Sequence, residues 1–359
     1  MEKKKLNIFI ILMLTVVTVV FYLVYYSAEK SVQLSELQQE IKQLRLKLDQ
    51  LETLNKKNFV NIQKVPVPLI FCGDTLDLEN QFIRERVERE FYSLLGDQGQ
   101  LQLYMKRTQR YLPMITSHLT DAGLPEDLKY LAVHESALLP KIRSRSNAVG
   151  LWQFMYSTGR LYKLKINRYI DERRDPQKAT KAAVRFLGDL YKQFGSWPLV
   201  LAAYNGGQGR LSRSIKKHNS NSLIDLSLPE ETERYYFKIV ATKIIVSNAE
   251  DFGFSLDHHE YFATPQKEEI EFTIHGNQMT LEEIASVFDM SIVALKEFNP
   301  QLRNTYLPQG TYELNLPVDK YLKYKEKENG EEINGVFSLE NPQHPNVDDI
   351  SSSRLPSFR

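Results

Sequence analysis

The stretch LPEDLKYLAVHESALLPKIRSRSNAVGLWQ, from Leu124 to Gln153, decides how this chain is read. Its first half predicts a short buried helix. Pro125 suits a first helical position, Glu126 and Asp127 fall in the first turn, and Leu128, Leu131 and Ala132 share one face. Glu135 follows and is carried into apolar surroundings. Burial disfavours a charged carboxylate and raises its pKa, so a glutamate placed this way can stay protonated near neutral pH and donate to a leaving oxygen. The ordinary alternative for these residues alone is a solvated or salt-bridged glutamate at a helix end.

Three further patterns follow Glu135-Ser136 in order: GLWQFM at Gly150 to Met155, AYNGG at Ala203 to Gly207, and Glu231-Thr232 with Tyr235. Each has a structural alternative. Trp152, Phe154 and Met155 suit a core, Asn205-Gly206-Gly207 a helix-ending turn, and Tyr204 and Tyr235 interior helix positions. Between them, Asp175-Pro176 opens a helix with Ala179, Ala183, Phe186, Leu187, Leu190 and Phe194 at helical spacing and Gly195 as a stop. Pro198 to Tyr204 and Pro229 to Ser247 read as two more helices, and Phe82 to Tyr111 as an amphipathic pair broken near Gly96 to Gly99.

Together, in this order, the motifs resemble the lysozyme-like (SLT) domain of the family 1 lytic transglycosylases, which cut the glycan strands of peptidoglycan. The likeness is closest to the membrane-bound murein transglycosylase D branch. It runs from about Phe82 through RYLPMI, GLPEDLKYLA, GLWQFM, DERRDP and AAYNGG to ETERYY. The resemblance implies that Glu135 is a single catalytic acid and base, and that Ser144 contacts the N-acetyl group of the substrate. It implies that Gln153 and Met155 shape the sugar groove, and that Tyr204, Asn205 and Tyr235 surround the glutamate. Ordinary glycosidases use two carboxylates. No second one stands out here, since Glu231 has a counterpart usually read as structural and Asp171, Glu172 and Asp175 suit a loop and a helix cap. That points to substrate assistance, in which the 2-acetamido group of N-acetylmuramic acid (MurNAc) replaces an enzyme nucleophile. Tyr156 after Met155, where many relatives have proline, and the Gly-Gly pair after Asn205 depart from the family pattern without removing a catalytic group.

Residues 266–318 change character. EIEFTI predicts a strand, His275-Gly276-Asn277 a turn, Thr280 to Phe288 and Ser291 to Phe298 two short helices, and Gly310 to Leu316 a closing strand. This βααβ pattern, with Ile284-Ala285, Phe288, Leu295 and Asn299-Pro300 in place, resembles a LysM domain, a module that binds N-acetylglucosamine (GlcNAc)-containing glycans. The alternative is a small packing domain without a ligand. Residues 319–359 are charged and then rich in Ser, Pro and Asn, which predicts a disordered tail.

Upstream, Leu6 to Tyr26 holds 21 residues without a charge, preceded by three lysines within Met1 to Lys5. At about 1.5 Å per residue such a helix spans a bilayer. Bulky Tyr25 and Tyr26 before Ser27-Ala28 favour an uncleaved anchor over a signal peptide, and the lysines keep Met1 cytoplasmic. The expectation is a transmembrane signal anchor over residues 1–28 in the inner membrane, with the catalytic domain facing the periplasm. Its departure from the lipid anchor of relatives fits Cys72, which lacks the small-residue context of a lipidated cysteine. From Ser31 to Lys57, Leu34, Leu37, Ile41, Leu44, Leu48 and Leu51 form a coiled-coil seam. It offers either a weak homodimer or a monomeric amphipathic stalk.

The expected order is therefore anchor 1–28, coiled-coil stalk 29–58, helical brace 59–115, lysozyme-like domain 116–265, LysM domain 266–318 and tail 319–359. The fold class is mainly α with one small βααβ module. Over 359 residues, 46 Lys and Arg oppose 45 Asp and Glu, and the net charge of +1 argues against nucleic acid as a partner. One cysteine and seven histidines without HExxH spacing imply no metal, and no cofactor is expected. Peptidoglycan glycan strands and the membrane are the expected partners. Two alternatives stand beside the transglycosylase: a muramidase of the same fold, using water, and a non-catalytic peptidoglycan-binding scaffold.

Overall fold

The computed structural model describes residues 2–61, 65–328 and 337–340. It divides into two units, Met1–Lys64 and Val65–Arg359.

The first unit is a single helix, α1 (Glu2–Asn61), which contains both the expected span and the expected seam. The described apolar residues from Met13 to Tyr26 are exposed, Phe21 at 78%, and so are Leu34, Leu37, Ile41, Leu44, Leu48 and Leu51. Among the described residues no helix is long and apolar enough to cross a membrane. Side chains 1–12, which include the first part of the expected span, lie outside the described residues.

The second unit opens with a feature that periodicity does not announce, an antiparallel hairpin of β1 (Leu69–Phe71) and β2 (Asp74–Leu76). Cys72 and Gly73 both take positive φ, 52° and 89°, as a two-residue turn of type I′ requires. The hairpin is held from below. Asp127 Oδ2 accepts from the Cys72 N–H at 2.7 Å and from Lys243 Nζ at 2.7 Å, while Lys243 also donates to the Ile70 carbonyl at 2.6 Å.

Two amphipathic helices follow, α2 (Gln81–Leu95) and α3 (Gln98–Asp121), broken where the sequence places the break. The Glu135 helix starts as a 3-10 turn, Glu126–Leu128, with Pro125 as its cap, and continues as α4 (Lys129–Ser136). Leu128, Leu131, Ala132 and Val133 are fully buried, and each such leucine contributes roughly 1.5–3 kcal/mol of burial free energy. Next come α5 (Tyr156–Leu161), α6 (Pro176–Phe194), α7 (Trp197–Gly206), α8 (Gln208–His218) and α9 (Glu230–Ser247). Asp175 caps α6 by accepting from the Lys178 N–H at 2.9 Å. Asn205 and Gly206 lie inside the last turn of α7, so the chain leaves the helix only at Gly207. Helix α9 packs against α2, α4 and α7 and forms the back wall of the domain. Arg234 on α9 clamps the buried Glu90 of α2 through bonds of 2.8 and 3.1 Å.

The remaining module has its own core. Strand β3 (Lys267–Thr280) pairs with β4 (Tyr306–Pro317), with α10 (Leu281–Val287) and α11 (Ile292–Phe298) between them. The expected turn at His275-Gly276-Asn277 is instead a register shift between Ile274 and Gln278 inside one long strand. A bulge absorbs these residues without reversing the chain. The expected tail also differs. The chain continues as α12 (Val318–Glu328), whose Tyr324 is buried against Phe288 at 5.3 Å between ring centroids, and β5 (Phe337–Glu340) adds to the free edge of β3. Residues 341–359 lie outside the described residues.

The module is joined to the helical domain by backbone pairing. Ile170 bridges Leu302, the Asp171 N–H donates to the Gln301 carbonyl at 2.9 Å, and the Arg303 N–H donates to the Tyr169 carbonyl at 2.8 Å. Ile170 itself is buried in the core of the module with Phe272, Phe288 and Leu302.

Candidate active site

Glu135 stands in the last turn of α4, one residue before a helix end of unusual shape. Ala137 and Leu138 both adopt left-handed backbone conformations, φ 51° and 57°, which side chains other than glycine seldom take. Arg107 Nη1 donates to the Ala137 carbonyl at 3.0 Å and satisfies one exposed end of the helix. The turn directs the following loop away from α4.

The Glu135 carboxyl is enclosed by protein although the residue keeps part of its surface open. Burial pushes its pKa up to about 7. A hydrogen bond from Tyr235 opposes that shift, the charge of Glu231 adds to it, and Lys238 works against it. Tyr235, on α9, donates its phenolic proton to Glu135 Oε1. Burial and then the charge of Glu135 hold the Tyr235 phenol far above its usual pKa, so it stays a donor. Behind Tyr235 stands His134, 5.6 Å away between ring centroids and nearly perpendicular at 79°. Burial and then Lys238 lower His134 to about 4, and the imidazole is neutral at physiological pH.

Tyr204 comes to the same place from α7. Its phenol is raised well above the ordinary value by burial and by the charge of Glu135, and it donates to the Trp152 carbonyl at 2.6 Å. Asn205 is held one position on, its Oδ1 accepting from Thr232 Oγ1 at 2.9 Å and its Nδ2 lying 3.5 Å from Glu231 Oε1. The Glu231-Thr232 pair therefore fastens α9 to the end of α7, which fixes Tyr204 and Tyr235 relative to each other.

The loop from Ile142 to Met155 carries the other expected site residues. Trp152 is its anchor, fully buried, with Nε1 donating to Thr180 Oγ1 at 2.9 Å. Gln153 has φ 47° and donates Nε2 to the Gly150 carbonyl at 2.9 Å. Met155 is 44% exposed at the start of α5. Ser144 is half-buried, its Oγ accepting from the Ala148 N–H at 3.0 Å. The structure thus brings Glu135, Tyr204 and Tyr235 together, with Asn205 bound beside them. Among the described hydrogen bonds none joins Ser144, Gln153 or Met155 to Glu135.

Two supporting residues escape the sequence reading. Arg173, buried at 6% exposure, pairs with Asp171 through bonds of 2.9 and 2.8 Å and donates Nη1 to the carbonyls of Phe154 at 3.0 Å and Asn147 at 3.3 Å. It thereby holds the loop from behind. Gly150, at φ 85°, packs so closely that an added Cβ would lie 1.7 Å from the Arg173 carbonyl oxygen. Both belong to quoted motifs, but neither spacing nor residue type reveals the contact between them.

Among the described residues no group of His, Cys, Asp and Glu side chains is arranged to hold a metal.

Residues 114–225 match the Transglycosylase SLT domain, and residues 273–332 match the family described as lytic transglycosylase MltD, LysM-like domain. The first match stops short of α9, so Tyr235 lies outside it. The membrane-bound lytic murein transglycosylase D of Escherichia coli (strain K12) is 32% identical over 245 residues, covering 66% of this chain and 52% of that protein. A putative tributyltin chloride resistance protein of Alteromonas sp. (strain M-1) is 34% identical over 121 residues, covering 33% of this chain and 58% of its own length. The 70 kDa soluble lytic transglycosylase SLT70 of Escherichia coli aligns at 23% identity over 43% of this chain and 27% of that one, with a TM-score of 0.33. The chain spans about half the length of the transglycosylase D relative. The chain thus carries an SLT domain followed by a LysM-like domain of the MltD type, and over both it is similar to the MltD lytic transglycosylases.

Proposed function

We propose that the protein cleaves peptidoglycan between MurNAc and GlcNAc without water, leaving 1,6-anhydro-MurNAc ends. The observation that carries this reading is the setting of Glu135, whose carboxyl is pushed up to about 7 by burial and accepts a hydrogen bond from a phenol that remains protonated. A group titrating near the working pH can both give and retrieve a proton. In the first step Glu135 protonates the glycosidic oxygen, the bond from C1 to that oxygen breaks, and the acetamido oxygen of the same sugar closes on C1. The Tyr235 phenol then stabilises the new carboxylate. In the second step Glu135 takes the proton of the C6 hydroxyl, O6 attacks C1, and the acetamido group is released. Ser144 holds the acetamido group in line, and Gln153, Met155 and Asn205 contact the flanking sugars.

The LysM-like module supplies glycan binding away from the cleavage point. The uncharged apolar stretch from Leu6 to Tyr26, together with the lysines before it, anchors the protein in the inner membrane with the SLT domain in the periplasm. The apolar seam from Leu34 to Leu51 supports weak self-association of the stalk.

Digestion of purified sacculi followed by mass spectrometry tests the reaction. Anhydro products, lighter by one water than hydrolysis products, are expected. Hydrated ends would instead make the protein a muramidase, and binding without release of muropeptides would make it a scaffold. Glu135→Gln should bind sacculi and release nothing.

A further inference from the structure

A cleft of about 390 Å³ lies where the LysM-like module meets the SLT domain, and five arginines line it: Arg143, Arg168, Arg173, Arg174 and Arg303. The one carboxylate in its lining, Asp171, is already committed to Arg173 by two hydrogen bonds. The chain as a whole carries a net charge of only +1, so this concentration of positive charge is local.

Arg174 makes the imbalance acute. Its Nε is buried with no hydrogen-bond partner, while burial and the charges of Arg303, Arg173 and Arg143 all disfavour its ionised form against the single attraction of Asp171. A half-buried guanidinium among like charges is a costly arrangement in an unliganded protein and a favourable one around an anion. Arg173 is taken up by Asp171 and the loop carbonyls, but the other three arginines are only lightly occupied. Arg143 donates to Asn147 Oδ1, Arg303 donates Nη1 to the Asn167 carbonyl at 3.2 Å, and Arg168 lies over the Tyr169 ring. Each contact uses a minority of the five donors that a guanidinium carries.

The cleft is also built, since the backbone pairing of residues 169–171 with 301–303 fixes Arg303 against the other four. Its wall is continuous with the substrate loop: Arg143 precedes Ser144, and Tyr156, which also lines the cleft, follows Met155.

We infer that this composite arginine cleft is a carboxylate-binding subsite, which takes the acidic groups borne by the muramyl residues of a glycan strand held across both modules. The inference rests on peptidoglycan being the substrate. Two sources offer the same chemistry: carboxylates of the peptide stems, and the lactyl carboxylate that is freed when a stem is removed. Guanidinium forks match either one.

The test is equilibrium binding by the full-length protein in detergent, carried in the Glu135→Gln background so that no turnover intervenes. The ligands are soluble strands bearing stems, strands stripped of stems, and an uncharged chitin oligosaccharide. Arg168→Gln/Arg303→Gln changes two exposed side chains, and Arg174→Gln serves as a second variant. Both are expected to weaken the carboxylate-bearing strands about tenfold and to leave the chitin oligosaccharide unchanged. The strand type that suffers the larger loss identifies the source. Unchanged affinity for both acidic strands overturns the subsite, as does an equal loss for the neutral oligosaccharide. Displacement by inorganic phosphate but not by free stem peptide also overturns it, in favour of a phosphate-bearing polymer. Because binding is read without cleavage, an inactive wild-type protein with charge-dependent binding would refute the proposed reaction and keep the cleft.

Discussion

Tyr235 donates its phenolic proton to Glu135 across the interface between α9 and α4, so a residue one hundred positions downstream tempers the effect of burial on the candidate acid. The bond favours the ionised carboxyl and therefore opposes the effect of burial. Activity that begins with a protonated Glu135 should fall as pH rises through about 7. Tyr235→Phe removes the opposing bond and should move the alkaline limb of kcat/KM upward. Glu231→Gln removes a neighbouring negative charge and should move it downward. Profiles of kcat/KM on soluble glycan strands between pH 5 and pH 9 read both shifts, and two shifts of the same sign would refute this account.

Stability should carry the same signature. Folded Glu135 keeps its proton up to about pH 7, whereas the free carboxyl releases it near 4.5, so the native state binds the extra proton between these values. Stability contributed by this group therefore falls as pH rises through that window. Glu135→Gln should be more stable than the parent above pH 7, by at most about 3 kcal/mol, and equal to it below the lower value. Urea unfolding at the two extremes of pH measures the difference.

Arg173 is expected to be the costliest surface-remote residue of the site to lose. Arg173→Ala leaves Asp171 buried at 1% exposure without its partner and releases the Phe154 and Asn147 carbonyls. A destabilisation of about 3–5 kcal/mol should follow. Arg173→Lys should recover little of it, because an ammonium cannot reproduce the two-pronged contact. Chemical denaturation of the two variants side by side checks the order.

Gly150→Ala probes the same contact from the other strand of the loop. The new methyl group would meet the Arg173 carbonyl oxygen at a position already held at positive φ, so one backbone or the other must move. A loss of about 2 kcal/mol or more is expected, with activity lowered through displacement of Gln153 and Met155. A variant with parental stability and rate would show that the loop has room to shift.

The helices of the SLT domain are legible in the sequence because each has a long periodic face with its own boundary signals: Asp175-Pro176 before α6, Gly195 after it, and the break at Gly96 to Gly99. Glu135, Tyr204 and Tyr235 are legible through their motifs, and the structure puts them in one place. What the sequence conceals is short or remote. Strands of three residues at Leu69 and Asp74 carry no period, although Cys72-Gly73 is a turn signal in hindsight. The bulge at His275 to Asn277 has turn-like residues in a strand-like backbone. Helix α12 is masked by its lysines, yet Tyr321 and Tyr324 already sit at helical spacing. Asp127 reads as a first-turn acid and proves to be the point where hairpin, α4 and α9 meet. The Arg173 and Gly150 contact depends on two segments that only the finished fold brings together.

The pairing of Ile170 with Leu302 has a mechanical consequence. A sugar-binding module on a flexible tether samples many positions, and the local concentration it creates falls with the length of the tether. Here the tether is replaced by a welded seam: paired backbone, with Ile170 sunk into the core of the neighbouring module. On the proposed function, a polymer gripped by the module would be presented to Glu135 at a set offset, with the joint acting as a measuring jig whose length is fixed by the fold.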